Sequence, residues 1–124
     1  MTDLQRNHRQ ELLRVLRLLT SREEQLRYQR AVPFVPVTVE LFCQWAACYE
    51  HKRDKPWFLQ VHPDAELAAL DSFQCVVTTV RAELPDRLPP IEDFITMPQW
   101  ERLASGAAAA LTGSESSHET TAAS

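Results

Sequence analysis

The sequence predicts an all-α protein, a small bundle of four to five helices around a buried central helix at about residues 37–51. Two observations support this class. Apolar residues recur every three to four positions in several segments, and no segment alternates as a strand would. In addition, residues 37–49, V-T-V-E-L-F-C-Q-W-A-A-C-Y, form a helix with apolar side chains almost all round, which is typical of a helix buried among others.

Length and composition indicate one folded domain followed by a tail. The chain has 124 residues, of which 44% are hydrophobic and 24% charged, a balance typical of a single globular domain. We assign this domain to residues 1–112. Residues 113–124 contain no large apolar side chain, so we expect a disordered tail that can be removed from residue 114 at almost no cost in stability.

Two helical segments are predicted before the central helix. Leucine and valine recur at helical spacing from Asp3 to Leu19, and this pattern predicts an amphipathic helix. Ser21, with Glu24 three residues later, is typical of a capping box, so a second segment is expected from there to about Arg30. The prolines of the following A-V-P-F-V-P segment at residues 31–36 favour extended conformations at Val32 and Val35 and predict a stiff apolar connector.

The longest apolar seam of the chain predicts a further helix that begins at about Pro63 and ends before Pro85. Its members are Leu67, Leu70, Phe73, Val77, Val80 and Leu84.

A proline-rich loop at residues 85–98 is expected to cross the bundle, with a short helical turn at Ile91–Ile95. Thr96 and Gln99 then have capping-box spacing and predict the start of a last helix.

The N-terminus and the cysteines predict a cytoplasmic protein without a membrane segment. The first ten residues contain no apolar core of a signal peptide, and no apolar run approaches the roughly 20 residues that span a bilayer. Cys43, Cys48 and Cys75 are odd in number and match no disulfide or metal-site spacing. We therefore expect three free, buried thiols in a reducing compartment.

The motifs of common enzymes are missing. The only glycines are Gly106 and Gly113, so the chain has no phosphate-binding loop, no dinucleotide fingerprint and no nucleophile elbow. We expect no enzymatic activity, no cofactor and no metal. The enzymatic alternative is a nonstandard group of Cys48, His51 and His62, although an apolar helix favours an inert thiol at Cys48.

Charge is distributed unevenly and leads to an alternative function. Residues 1–30 hold seven arginines and four acidic residues, whereas residues 31–124 hold six basic and thirteen acidic ones. An arginine-rich helix is a candidate for binding phosphates, so nucleic-acid binding or regulation is the alternative function. Its candidate contacts are Arg6, Arg9, Arg14 and Arg17.

The turn H-K-R-D-K-P-W-F at residues 51–58 has the aromatic and cationic composition of interface hot spots. A tryptophan that anchors the loop to its own core gives the same pattern, and for Trp57 this is the favoured interpretation. With the carboxylates that follow, the candidate protein interface consists of Arg53, Lys55, Trp57, Phe58, Asp64 and Glu66.

These observations favour a non-enzymatic protein-binding module. In its most specific form, the hypothesis is an immunity or antitoxin-like protein whose acidic surface neutralises a basic effector. The small size of the chain, the missing catalytic motifs and the excess of seven acidic residues in residues 31–124 motivate it. If the helix at residues 37–49 lies at the surface instead of in the core, a homodimer is the expected partner arrangement.

Overall fold

The computed structural model describes the backbone of residues 2–123 and the side chains of residues 2–115. Within that part, seven α-helices and one π-helical segment account for the regular structure, and no strand is present. They are α1 Asp3–Thr20, α2 Arg22–Ala31, α3 Val37–Trp45, the π-helical segment Ala46–Glu50, α4 Pro56–Val61, α5 Asp64–Glu83, α6 Ile91–Phe94 and α7 Pro98–Ala123. The predicted all-α class is confirmed, and the short helices α4 and α6 raise the number of elements.

Local capping explains where the first two helices begin. The Thr2 side chain accepts a hydrogen bond from the Gln5 backbone N–H, and the Gln5 side chain accepts one from Thr2 N, which completes a capping box. Ser21 lies between α1 and α2 in a non-helical conformation. Its hydroxyl accepts a hydrogen bond from the Glu24 N–H and so caps α2. The predicted break at Ser21 is confirmed.

The core lies between α1, α5 and α7, with α3 and the short helices closed around it. All six residues of the predicted α5 seam are buried, as the three-to-four spacing requires. Phe58 and Phe94 place α4 and α6 against the same core through fully buried rings. These short helices therefore connect the longer ones and also contribute side chains to the core.

The central helix is buried on one side only. Val37, Leu41 and Trp45 are in the core, whereas Val39 and Cys43 reach the surface. At Ala46 the helix widens into the π-helical segment, where the His51 N–H bonds the Ala46 carbonyl at 2.9 Å. The predicted helix at about 37–51 is thus present as two consecutive helical segments.

The proline-rich segment contains the predicted short helix as α6, with Ile91 and Phe94 fully buried. The last helix begins at Pro98 rather than at Thr96, because the Thr96 hydroxyl donates to the Asp93 carbonyl at 2.7 Å and closes α6 instead. The predicted capping box of Thr96 and Gln99 is wrong for this reason.

Helix α7 extends past the predicted end of the domain. Ser114 is fully buried, and its carbonyl accepts a hydrogen bond from the Arg9 guanidinium at 3.2 Å. Glu115 contacts Arg17. Most of the tail predicted to be disordered, residues 116–124, lies outside the residues whose side chains are described.

Candidate functional site

Four polar side chains form a connected chain in the interior. His8 Nε2 on α1 lies 3.0 Å from His62 Nε2, and His62 Nδ1 lies 2.6 Å from Glu66 Oε1. The Arg9 guanidinium reaches Glu66 Oε2 at 3.3 Å. His62 and Glu66 are fully buried. This group, His8, Arg9, His62 and Glu66, is called the polar chain below.

Neighbouring helix ends place these groups. His62 terminates α4, and Glu66 lies in the first turn of α5, where the helix dipole stabilises a carboxylate. His8 lies on the same stripe of α1 as the core residue Leu12, four positions later. Its ring packs edge-on against Trp57, with centroids 4.9 Å apart. The cluster is therefore held by packing as well as by hydrogen bonds.

The two imidazoles are joined by one hydrogen bond, in which one Nε2 donates and the other accepts. The second nitrogen of His62, Nδ1, bonds a carboxylate oxygen of Glu66. The second nitrogen of His8, Nδ1, is buried and has no hydrogen-bond partner within the described residues. Burial, followed by the charges of His62 and Lys52, lowers the pKa of His8 to about 4, which keeps it neutral at pH 7.

A cavity of about 400 Å³ lies over His8 at the start of α1. Its lining consists of Thr2, Leu4, Gln5, His8, Lys52 and Trp57. Leu4 is 81% exposed at the rim, whereas Trp57 is half-buried against the core. The polar chain thus ends at a partly apolar cavity that carries one lysine.

Sequence reasoning missed His8 and assigned other roles to its partners. The available signal was position: His8 continues the buried stripe of α1, and His62 and Glu66 lie four residues apart across a helix start. Nothing in the sequence indicates that these two segments meet. The described residues contain no group of three His, Cys, Asp or Glu side chains arranged to hold a metal ion.

The predicted protein interface is divided by the fold. Phe58 and Glu66 are fully buried, so their assignment to a contact surface is wrong. Apolar packing holds Phe58, and the polar chain holds Glu66. Arg53 makes two hydrogen bonds of 2.9 Å to Asp71, which also accepts from the Tyr49 hydroxyl.

The other members of that set reach the surface. Lys55 and Asp64 are exposed and form no ion pair within residues 2–115. Trp57 packs on the core as the favoured interpretation predicted, with part of its ring at the cavity.

Each arginine of the predicted nucleic-acid contact has a carboxylate partner. The pairs are Arg6 with Asp3 at 2.6 Å, Arg9 with Glu66 at 3.3 Å, Arg14 with Glu11 at 2.6 Å and Arg17 with Glu115 at 3.2 Å. Arg9 is largely buried, so it cannot present its guanidinium to a phosphate. Each of these four positive charges on α1 therefore lies beside a carboxylate of the same protein.

The three cysteines are free, but only Cys48 is buried. The prediction of buried thiols is wrong for Cys43 and Cys75, because they lie on the outer faces of α3 and α5. Burial raises the pKa of Cys48 to about 12, and its Sγ contacts the Trp45 carbonyl. No hydrogen bond joins Cys48, His51 and His62 within the described residues.

A second candidate site is the connector between α2 and α3, where Phe34 is 85% exposed. Its backbone is held by Gln29, whose amide donates to the Val32 and Val35 carbonyls at 3.2 and 2.7 Å. The same side chain accepts from the Val37 N–H at 3.2 Å. The exposed phenyl ring is therefore carried by a braced turn.

Two adjoining depressions of about 520 and 720 Å³ flank this turn and share Pro36 and Pro90. The surface that they form with Phe34 is called the Phe34 face. Its apolar members are Pro33, Phe34, Val35, Pro36, Val39, Leu84, Pro85, Leu88 and Pro90. Around them lie Arg30, Arg81, Asp86, Arg87 and Glu92, which form no ion pair within residues 2–115.

The architecture places this chain among small all-α bundles. No protein-family model, curated protein or solved structure matches it. Among the helices described, none combines the length and apolar character needed to cross a membrane.

Proposed function

We propose that this chain is a non-enzymatic protein-binding module that contacts a partner protein through the Phe34 face. The observation that carries the proposal is the 85% exposure of Phe34 on a connector braced by Gln29. An aromatic ring held in solvent gains no core packing, whereas burial in a partner's pocket makes such a ring an interface hot spot.

Bracing of the connector supports this role because it lowers the cost of binding. A loop that becomes ordered only in a complex loses conformational entropy at that moment. Here the three hydrogen bonds of Gln29 already hold the backbone on both sides of Phe34. Phe34 lines the depression of about 520 Å³, and the adjoining depression of about 720 Å³, with a mixed polar and apolar lining, extends the contact area beyond one side chain.

The charges around the Phe34 face indicate which charges the partner's surface should carry. Arg30, Arg81 and Arg87 lie beside Asp86 and Glu92, so the complementary surface carries both signs around an apolar socket. The narrower hypothesis of an immunity or antitoxin-like protein that neutralises a basic effector is supported by the net charge of −4. It receives no additional support from this mixed surface.

Other observations favour protein binding over the two alternatives. The arginines of α1 are paired with carboxylates, which leaves less free positive charge for nucleic acid. A thiol with a pKa of about 12 is a poor nucleophile, which disfavours chemistry at Cys48. We also propose a cytoplasmic location, because exposed free thiols such as those of Cys43 and Cys75 persist in reducing surroundings.

The test compares the wild-type chain with Phe34→Ser and a matched control, Leu59→Ser. Leu59 is 53% exposed and does not line the Phe34 face. Each tagged protein is used for affinity capture from native lysate, followed by mass spectrometry. We expect one protein in near-stoichiometric amount with the wild type and with Leu59→Ser, and its loss with Phe34→Ser.

Light scattering after gel filtration distinguishes a second copy from a different partner. A wild-type dimer that becomes monomeric in Phe34→Ser identifies the partner as the same chain. If the wild type is monomeric and all three proteins retain the same material or nothing, the proposal is overturned. Urea unfolding of the two variants verifies that neither substitution disturbs the fold.

A further inference from the structure

We infer that the partner protein on the Phe34 face is a second copy of this chain. In the resulting two-fold symmetric dimer, the Phe34 ring of each copy enters the depression of about 720 Å³ on the other copy, called the larger depression below. The depression of about 520 Å³, which Phe34 itself lines, is called the smaller depression. The inference rests on the proposed function, because it assigns an occupant to the face that the proposed function uses.

A projecting ring and a recess lie side by side on this face. A two-fold interface brings the same patch of both copies together, so each patch must supply the projection and the recess that receives it. Phe34 is 85% exposed, and Pro36, two residues later, lines both depressions. Because a cavity of about 150 Å³ already holds a benzene molecule, the larger depression has room for a phenyl ring.

The larger depression also offers apolar contacts to that ring. Its apolar members are Pro36, Val39, Leu84, Pro85, Leu88 and Pro90. Proline has no backbone N–H, so a ring that covers Pro85 and Pro90 removes no donor of these residues from water. Val39 is 37% exposed in the monomer and becomes buried by the same contact. The polar members of the lining are Arg81, Asp86 and Arg87.

The charges on the two sides of this contact are complementary. Arg30 and Glu92 line the smaller depression with Phe34. Asp86 and Arg87 line the larger one. When the ring of one copy enters the larger depression of the other, these two sets of charges face each other. Arg30 then lies near Asp86 of the second copy, and Glu92 lies near Arg87 of the second copy. The two-fold axis repeats both attractive pairs.

The four charged side chains are available for pairing between copies. Each is exposed, and none forms an ion pair within residues 2–115. Arg27, on the turn before Arg30, is instead paired with Glu24 of its own helix. The net charge of −4 opposes association of two copies, but the face itself carries three arginines and two carboxylates. The repulsion is therefore not concentrated at the interface.

Sedimentation equilibrium of the full chain tests for the dimer. The face is small, so we expect a Kd of about 1–100 µM, in the range of weak interfaces. Phe34→Ser should weaken the dimer by about 100-fold or more, because a symmetric interface loses the hot-spot ring twice. Leu59→Ser is the matched control. Leu59 is 53% exposed outside the face, so this variant should dimerise like the wild type.

A charge-exchange pair tests the arrangement of the two copies. Arg30→Glu places two carboxylates at each contact between positions 30 and 86, and Asp86→Arg places two guanidinium groups there. Each variant alone should dimerise at least about tenfold more weakly than the wild type. In an equimolar mixture, every such contact of a mixed dimer again joins opposite charges. Mixing should therefore restore dimerisation.

Arg27→Glu is the control for this pair, because it makes the same charge change on the same helix outside the face. It should not weaken the dimer as Arg30→Glu does, and mixing it with Asp86→Arg should restore nothing. Far-ultraviolet circular dichroism verifies that the variants keep their helices.

NMR of a mixture of ¹³C-labelled and unlabelled chains identifies the contact directly. Ring protons of Phe34 in one copy should show intermolecular nuclear Overhauser effects to the methyl groups of Val39 and Leu88 in the other. Leu59 methyl groups should show none.

Three results would overturn the inference. The first is a wild-type chain that stays monomeric up to about 500 µM, above the Kd of a weak dimer. The second is a dimer that Phe34→Ser leaves intact. The third is an equimolar mixture of Arg30→Glu and Asp86→Arg that dimerises no better than either variant alone. The proposed function fails only if, in addition, neither capture of a partner nor self-association depends on Phe34, so the two failures are distinguishable.

Discussion

The imidazoles of His8 and His62 meet in the interior with their Nε2 atoms 3.0 Å apart, so one nitrogen donates and the other accepts. The other nitrogen of His62, Nδ1, bonds the buried carboxylate of Glu66 at 2.6 Å. Protonation of His8 adds a charge to a buried ring beside His62 and Lys52. Protonation of His8 on α1 is thus linked to the stability of the bundle.

Stability should fall as the pH is lowered from about 6.5 to about 4. The pKa of His8 is about 6.5 in an unfolded chain and is lowered to about 4 in the fold, chiefly by burial. Between these values the unfolded state binds more protons, so lower pH favours unfolding by up to about 1.4 kcal/mol per pH unit. Above this window the contribution of His8 is constant.

Urea unfolding between pH 7 and pH 5 measures this slope. His8→Gln is the control variant, because an amide can donate to His62 Nε2 or accept from it without titrating. Its stability should vary less with pH than that of the wild type. Identical slopes in the two proteins would show that His8 is not the group responsible.

Removal of Arg9 should destabilise the fold much more than removal of Arg6. Arg9 is largely buried and faces the buried Glu66, so Arg9→Ala removes one of the two partners of a buried carboxyl group, at a cost of about 3–5 kcal/mol. Arg6 pairs with the exposed Asp3, and Arg6→Ala should cost only about 0–1 kcal/mol. Urea unfolding at neutral pH compares the two variants. Equal losses would contradict the burial of the Arg9–Glu66 pair.

Trp45→Ala should cost about 3–5 kcal/mol in unfolding free energy, as expected for loss of a large core side chain. Trp45 is buried, stacks on Tyr49 with centroids 4.8 Å apart and donates to Gln74 at 2.7 Å. Phe34→Ala is the matched comparison, because its exposed ring gives the monomer almost no packing. A Trp45→Ala variant as stable as Phe34→Ala would place α3 outside the core.

The three thiols should react in two classes. Cys43 and Cys75 are exposed and should be alkylated in the native protein. Cys48 is buried with a pKa of about 12, so it should react only after unfolding. Mass spectrometry of peptides after timed iodoacetamide treatment distinguishes the classes. Rapid alkylation of Cys48 in the native protein would contradict this expectation and support the alternative of an enzyme that uses Cys48.

Removal of residues from position 114 onward should destabilise the fold, whereas removal from position 116 onward should leave the contacts of Ser114 and Glu115 in place. A chain that ends at Gly113 loses the Ser114 carbonyl that accepts from Arg9, together with the contact of Glu115 with Arg17. Loss of a hydrogen bond to a charged group predicts about 1.5–3 kcal/mol of destabilisation relative to a chain that ends at Glu115. This replaces the expectation that residue 114 onward is dispensable. Equal urea midpoints for the two chains would contradict it.

Local sequence patterns predicted the helices well where one segment supplies the whole signal. The α5 seam and the break at Ser21 depend on spacing and capping within a few residues, and both are found. Thr96 shows the limit of such patterns, because its hydroxyl bonds the Asp93 carbonyl of the preceding turn instead of capping the next helix.

By itself, the sequence determined the all-α class and the buried stripes of the long helices, because helical periodicity is a local property of the chain. Only the tertiary structure decided that His8 meets His62, which in turn bonds Glu66, that Phe58 is core, and that Phe34 remains in solvent. Those outcomes depend on contacts between segments as far as 54 residues apart, for which local periodicity carries no information. The polar chain therefore became visible only when α1, α4 and α5 were packed together.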